Sequence, residues 1–345
     1  AGVQFLQGPP PALGPHDLAV DALLGIGATA GRASAAHPAL RQLLQDLQQC
    51  PAPVLCVDVP SGLHADTGQY LPGLAPCGPA RSPRHTLGLL TLKPGLFTGV
   101  GRDAAGQVWH DRLGVPADCL HAHAPCATLG GPAAAPARLH ASHKGSYGDV
   151  TVVGGEGLSP RGMAMGGAAV LAAIAALHHG AGRVMLALLD GADTAFLPQQ
   201  PEIMLRQVQA LQLECGVVVC GCGGGQAVVA VLPQVLEHAS RLVLDADALN
   251  AIAADPGLQQ LLARRAARGL HTLLTPHPLE AARLLGSSTA AVQADRLHAA
   301  RTLSQQTGST VVLKGSVTDI HSPQQLPCIN PSGNARVSSL PVANS

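Results

Sequence analysis

Short apolar runs rich in Val and Leu alternate with longer Ala- and Leu-rich stretches from one end of this chain to the other. Runs of the first kind suit strands and stretches of the second kind suit helices, and their alternation is the pattern of a mostly parallel sheet wrapped by helices. The expected fold class is therefore α/β. In the first part, residues 17–24, 54–59 and 86–92 read as strands and Pro38–Gln49 as a helix. Residues 115–142 are rich in Ala, Pro and His and carry no periodicity, so they read as a linker. Beyond them come a strand at 150–153, a long Ala-rich helix over 163–179, and buried-type strands at 184–188, Val217–Cys220, 242–244, 272–274 and Thr310–Leu313. The expected organisation is a first domain over 1–114, a linker over 115–142 and a second domain over 143–345.

Composition narrows what such a fold does. With 345 residues, 47% of them hydrophobic, the chain can supply two ordinary cores. Charged residues make up 12%, the formal net charge is zero and aromatic residues are 2%, so a nucleic-acid surface is not expected. No run of about 18 uninterrupted apolar residues appears, which argues against a membrane span. The N-terminus lacks the basic-then-apolar plan of a signal peptide, and the cytoplasm is the expected compartment. Nine scattered cysteines form no disulfide frame and read as reduced thiols.

In open α/β sheets ligands bind outside the carboxyl ends of the strands, so those ends carry the functional reading. V-D-A-L-L-G-I-G at 20–27 sets Asp21 beside an apolar run and follows it with Gly25 and Gly27, where backbone could approach a phosphate. A strand and a tight turn would explain the same residues. V-D-V-P-S-G-L at 57–63 ends a strand with Asp58 and Ser61 on a Pro-Gly turn, for which turn chemistry alone would also suffice. Together with T-L-K-P-G-L at 91–96, these segments resemble the NAD(P)H-hydrate epimerase domain, over about residues 17–113. The resemblance implies a Rossmann-like domain in which Asp21 and Ser61 help hold a potassium ion. It also implies that Gly25, Gly27 and Gly31 line the dinucleotide and that Asp58 contacts the hydrated nicotinamide. Hard oxygen ligands suit an alkali cation. The family's N-N-G-G-D-G-type loop would lie before residue 1.

The second part is denser in such ends. H-K-G-S-Y-G-D-V-T-V-V-G-G at 143–155 leads through a strand into a glycine pair, and S-P-R-G-M-A-M-G-G at 159–167 leads into the small-residue helix. G-C-G-G-G at 221–225 follows the strand V-V-V-C, where backbone N–H groups at a helix start can cradle a pyrophosphate. L-D-A-D-A-L-N at 244–250 clusters Asp245 and Asp247, T-P-H-P-L-E at 275–280 sets His277 between prolines, and V-V-L-K-G at 311–315 delivers Lys314 to a strand end. Without any resemblance, this set describes a nucleotide site.

In their order, these motifs also resemble the ADP-dependent NAD(P)H-hydrate dehydratase, of the ribokinase-like superfamily, over 143 to about 337. The resemblance implies that Gly162, Gly223 and His277 contact hydrated NADH or NADPH. It assigns Lys314, Gly315, Ser316, Val317 and Thr318 to the adenine nucleotide, with ADP as co-substrate and Mg2+ beside it, and a homo-oligomer as the assembly. ADP would phosphorylate the ring hydroxyl of the S hydrate, phosphate would leave, and the reduced dinucleotide would be restored with AMP as by-product. Two positions depart from the family, Leu279 in place of glycine and Cys222 in place of proline. The family's G-T-G-D segment, which carries its catalytic acid/base, would follow residue 337. No catalytic residue is therefore assigned, the chain reads as truncated at both ends, and negligible turnover is expected of it. Two other readings stand beside this one, a small-molecule kinase on the same fold and an inactive nucleotide-binding remnant.

C-L-H-A-H-A-P-C at 119–126 offers four zinc-ligand types, but no paired knuckle or glycine turn supports a site, and a His-containing linker is the expected reading. His178 and His179 read as a helix end, where cations are favoured. Cys220 and Cys222 have no partner motif for redox chemistry.

Overall fold

The computed structural model describes residues 3, 12–28, 38–116, 118–119, 123–131, 140–158, 162–189, 200–315 and 317–332. The chain divides into two compact units, Ala1–Ala127 and Thr128–Ser345.

Among the described residues the first unit is built on four parallel strands in sequential order: β1 (Ala19–Asp21), β2 (Val54–Val57), β3 (Arg84–Leu89) and β4 (Gln107–Asp111). Parallel neighbours need crossovers, and the 32 residues between Asp21 and Val54 include helix α1 (Pro38–Gln49), which opens on proline. Its Leu44 packs with Leu71 and Leu74. Helix α2 (Gly101–Ala105) precedes β4. Ala19, Val54 and Cys56 alternate inward on β1 and β2 and are buried, while Val20 and Trp109 remain exposed.

Among the described residues the second unit has a ten-stranded sheet. In chain order its strands are β5 (Thr128–Leu129), β6 (Asp149–Glu156), β7 (Arg183–Leu189), β8 (Met204–Leu205), β9 (Val217–Cys220), β10 (Arg241–Leu244), β11 (His271–Leu274), β12 (Thr310–Leu313), β13 (Thr318–His321) and β14 (Cys328–Asn330). Their order across the sheet is β5-β14-β13-β12-β11-β10-β9-β6-β7-β8. From β12 to β8 all neighbours are parallel, and β13 runs antiparallel to both β12 and β14. The chain thus moves outward from β6 through β7 to β8, then returns to lay β9 on the other side of β6. That reversal is a topological switch point, the place where open α/β sheets bind ligands outside the carboxyl ends of their strands. Thr128–Leu129, inside the span that composition marks as linker, pairs with β14.

Helices α4 (Val228–His238), α5 (Asp247–Ala254), α6 (Pro256–Ala267), α7 (Pro278–Leu284) and α9 (Arg296–Thr307) contribute to one core with the sheet, and α8 (Thr289–Ala294) adds Val292. On β9 to β12 alternate side chains, among them Val218, Leu242, Leu274 and Leu313, are buried in it, and each buried leucine contributes about 1.5–3 kcal/mol. The intervening residues Val219, Val243, Leu273 and Val312 are only half-buried. Continuous apolar runs of this kind predict strands buried on both faces, and the structure buries one face fully. Helix α3 (Gly166–His178) covers β6 and β7 through Ala169, Val170 and Ala173. Arg265, buried on α6, donates to Leu236 O (2.9 Å), Ala239 O (2.7 Å) and Thr272 Oγ1 (2.9 Å), tying the end of α4 to β11.

Candidate functional sites

From β9 to β12 each strand end is hooked onto the preceding neighbour in the sheet, which holds the loops side by side. Gly221 N–H donates to Val153 O (3.0 Å), Asp245 N–H to Cys220 O (3.1 Å), Thr275 N–H to Leu244 O (3.1 Å) and Lys314 N–H to Pro276 O (2.8 Å). Beside the switch point, Gly155 N–H donates to Cys222 O (3.0 Å) and Glu156 N–H to Gly223 O (2.7 Å). Gly223 has φ +59°, and a Cβ there would stand 2.4 Å from Met165 O, so the close approach requires glycine.

The helix start after the glycine loop is already occupied by the chain's own carboxylates. Glu156, fully buried, accepts from Gln226 N–H (2.8 Å) and Ala227 N–H (3.0 Å), and Asp247 accepts from Gly225 N–H (2.9 Å). This corrects the expectation of a pyrophosphate cradle at that helix start. A phosphate there would have to displace two carboxylates from the N–H groups that satisfy them. Glu156 belongs to no sequence motif, and its only signal is an acid closing an apolar strand.

Asp245 is the hub of the next cluster. Its Oδ1 accepts from Lys314 Nζ (2.6 Å) and Thr275 Oγ1 (2.8 Å), and the Cys222 thiol lies 3.8 Å from its Oδ2. Burial, then the Asp245 charge, pushes the Cys222 thiol up to about 11, so it stays protonated at neutral pH. Cys220, buried in the core, is pushed up to about 12 by burial. Lys314 is 42% exposed and can swing toward a ligand. His277 caps α7: its Nδ1 accepts from Leu279 N–H (3.1 Å) and Glu280 N–H (3.3 Å), and Glu280 Oε2 accepts from His277 N–H (2.8 Å). With Nδ1 an acceptor, the ring proton sits on Nε2, 3.2 Å from Glu280 Oε1. Leu279 is exposed beside it.

Arg296, which no sequence motif marks, pins Leu313, Lys314 and Val317. Its guanidinium donates to Leu313 O (3.0 Å), Lys314 O (3.3 Å) and Val317 O (3.0 Å) and pairs with buried Asp319 at 2.8 Å. Val317 is buried, Thr318 opens β13, and Ser316 lies outside the described residues. Gly162, exposed with φ +70°, precedes α3, and its N–H donates to Leu158 O (2.7 Å).

In the first unit, Asp21, Asp58 and Lys93 stand at or just beyond the ends of β1, β2 and β3. Asp21 is buried; its carboxylate accepts from Ser61 N–H (2.8 Å) and Ser61 Oγ, and Ser61 Oγ accepts from Leu24 N–H (2.8 Å). Asp58 accepts from Leu89 N–H (2.9 Å) and is ion-paired with Lys93. Gly25 and Gly27 lie on the turn after β1 with open space around each, and Gly31 lies outside the described residues.

Residues 151–339 match the NAD(P)H-hydrate dehydratase family. The chain belongs to that family. In this NAD(P)H-hydrate dehydratase family member, residues 3–95 also match the YjeF-related protein N-terminus. It is 34% identical over 333 residues to the bifunctional NAD(P)H-hydrate repair enzyme Nnr of Escherichia coli, an alignment covering 94% of this chain and 60% of that one. Over 207 residues it is 44% identical to the ADP-dependent (S)-NAD(P)H-hydrate dehydratase of Neisseria meningitidis, covering 58% of this chain and 66% of that one. A Bacillus subtilis ADP/ATP-dependent NAD(P)H-hydrate dehydratase co-crystallised with ATP and Mg2+ is 26% identical with a TM-score of 0.47, covering 59% of this chain and 71% of that chain. The chain thus spans less than two thirds of the Escherichia coli and Neisseria meningitidis relatives.

Proposed function

We propose that this chain serves the repair of hydrated NADH and NADPH. Its second unit takes ADP and the S hydrate toward reduced dinucleotide, AMP and phosphate, and its first unit interconverts the R and S hydrates. The observation that carries the reading is the coincidence of the family match over 151–339 with a switch point whose strand ends bear Gly223, Asp245, His277 and Lys314. Lys314 leaves Asp245 to meet phosphate charge, Mg2+ accompanies the nucleotide, and residues 314–318 hold the adenine nucleotide. Gly162, Gly223 and the His277 cap border the hydrate. Phosphate is a far better leaving group than hydroxide, which is the reason for spending ADP.

In the first unit, Asp21 is a buried carboxylate without an ion pair to any described residue, and its oxygens converge with Ser61 Oγ and the Leu24 carbonyl. Buried charges are paired or bind metals, and this all-oxygen set fits potassium. When bound, the ion neutralises Asp21. Gly25, Gly27 and Gly31 line the dinucleotide and Asp58 meets the hydrated ring.

On the same reading the protein works in the cytoplasm as a homo-oligomer, which light scattering tests; no described helix is long and apolar enough to cross a membrane. Calorimetry should show saturable binding of ADP and of hydrated NADH, with ADP affinity at least tenfold weaker in Lys314→Ala, about 1.4 kcal/mol. A folded sample that binds neither overturns the reading. Any turnover should release orthophosphate and restore the reduced-nicotinamide absorbance, whereas a stable phosphorylated product would mark a small-molecule kinase.

A further inference from the structure

We propose that Lys93 and Asp58 are the proton-transfer pair of the first unit, opening and reclosing the hydrated nicotinamide ring at its hydroxyl-bearing carbon; this rests on the reading of that unit as interconverting R and S hydrates. T-L-K-P-G-L gave Lys93 no role as sequence. In the structure the chain leaves β3 at Leu89, and Lys93, the residue before a 3-10 turn over Pro94–Leu96, folds back along the sheet edge. Its ammonium donates to Leu89 O (2.6 Å) and to Asp58 Oδ1.

Asp58 is held in a conformation that side-chain-bearing residues avoid, with φ 68°. Such a conformation persists only where its surroundings fix it. Here Asp58 N–H donates to Leu87 O (2.8 Å), and Oδ1 takes Leu89 N–H and Lys93. Its Oδ2 receives no hydrogen bond from a described residue. The two side chains are 19% and 12% exposed, enclosed but reachable, at the carboxyl edge of adjacent parallel strands. Strain, a fixed ammonium and an open carboxylate oxygen together place a base beside an acid.

That pairing suits the substrate. Water adds to a dihydronicotinamide double bond at the carbon next to the ring nitrogen, because protonation of the other carbon leaves a cation which the nitrogen stabilises. The hydrate is therefore a carbinolamine. Asp58 takes the hydroxyl proton, the O–H pair becomes the carbonyl bond, and the C–N bond breaks with its pair moving to nitrogen. Nitrogen then takes a proton from Lys93. Rotation of the aldehyde presents its other face, and the reverse steps return both protons and close the ring as the opposite epimer. Nothing is consumed, and both groups act from one side of the ring.

The test follows interconversion of purified R and S hydrates by the full chain in 18O-water, with substrate binding measured by calorimetry. Ring opening predicts epimers that keep their hydroxyl oxygen at early times. Lys93→Arg keeps the charge and the pair but yields its proton poorly, so interconversion should fall at least a hundredfold while binding changes less than threefold. Lys93→Met should lose as much. An interconversion rate in Lys93→Arg within threefold of the parent makes Lys93 a structural partner and overturns the proposal, as does one 18O incorporated per epimerisation, which would mark loss and return of water. A parent chain that binds hydrate without interconverting it also overturns the proposal, and one that does not bind overturns the underlying reading of the first unit. An unchanged melting temperature in Lys93→Arg separates lost chemistry from lost fold.

Discussion

Replacing Arg296 by Met should unfasten the loop on which the adenine-nucleotide reading depends. Arg296 and Asp319 are 5% and 1% exposed and stand 2.8 Å apart. At an effective dielectric constant of about 20 their gross attraction is about 6 kcal/mol, of which desolvation of both groups offsets much. Removing only the guanidinium breaks a buried ion pair from one side, a change that costs about 3–5 kcal/mol. Three carbonyls of residues 313–317 lose a donor at the same time. In a unit of this size each kcal/mol moves the melting temperature by about 2–4 °C, so the transition of the second unit should fall by about 10 °C. Differential scanning calorimetry reads this directly. The double variant Arg296→Met with Asp319→Leu removes the buried carboxylate as well and should regain at least half of the loss, although the loop carbonyls remain without their donor. ADP affinity should stay reduced in both, because Lys314 would no longer be held at a fixed height. A single variant that melts within about 1 °C of the parent, or a double variant no better than the single, would refute the reasoning.

Glu156→Ala strips the acceptor from two N–H groups at the start of α4 and should cost about 3 kcal/mol by urea denaturation, whereas Glu156→Gln keeps an acceptor and should lose less than half of that. An alanine variant as stable as the parent would show that the helix start is satisfied in another way. His321 is buried on β13 with Nδ1 unpartnered, and burial, then nearby Arg301, pulls its pKa below the ordinary 6.5. The unfolded chain therefore binds the proton more tightly, so the contribution of neutral His321 to stability is complete above 6.5 and is lost as pH falls through the depressed folded value. The urea midpoint of the parent should drop more steeply than that of His321→Gln below pH 6.5, and parallel profiles would remove His321 from the acid response.

What the sequence disclosed follows from which signals are local. Helix α1 and strands β9 and β12 are legible to the residue: α1 opens on Pro38, V-V-V-C stands between Gly216 and Gly221, and T-V-V-L is a short apolar run ending at Lys314. Helix α4 is not. Its sequence V-V-A-V-L-P-Q-V-L-E-H is crowded with β-branched residues and carries Pro233, so propensity argues against a helix that burial of Val228, Leu232, Val235 and Leu236 enforces. The β13–β14 hairpin escaped too, since its short strands become apparent only when paired. Candidate groups at strand ends were legible one by one, but their partners lie far away in sequence: 69 residues separate Asp245 from Lys314 and 70 separate Glu156 from Gln226. That distance also decides what the glycine loop is for. A Gly-rich turn before a helix reads as an anion cradle until a carboxylate from another strand is seen to fill it. Filled in this way, the loop offers a ligand its shape at Gly223 instead of the charge of a helix end. On the proposed reading Lys314 supplies the positive charge for phosphate, so Lys314→Ala, more than any change at the glycines, tests where the nucleotide binds.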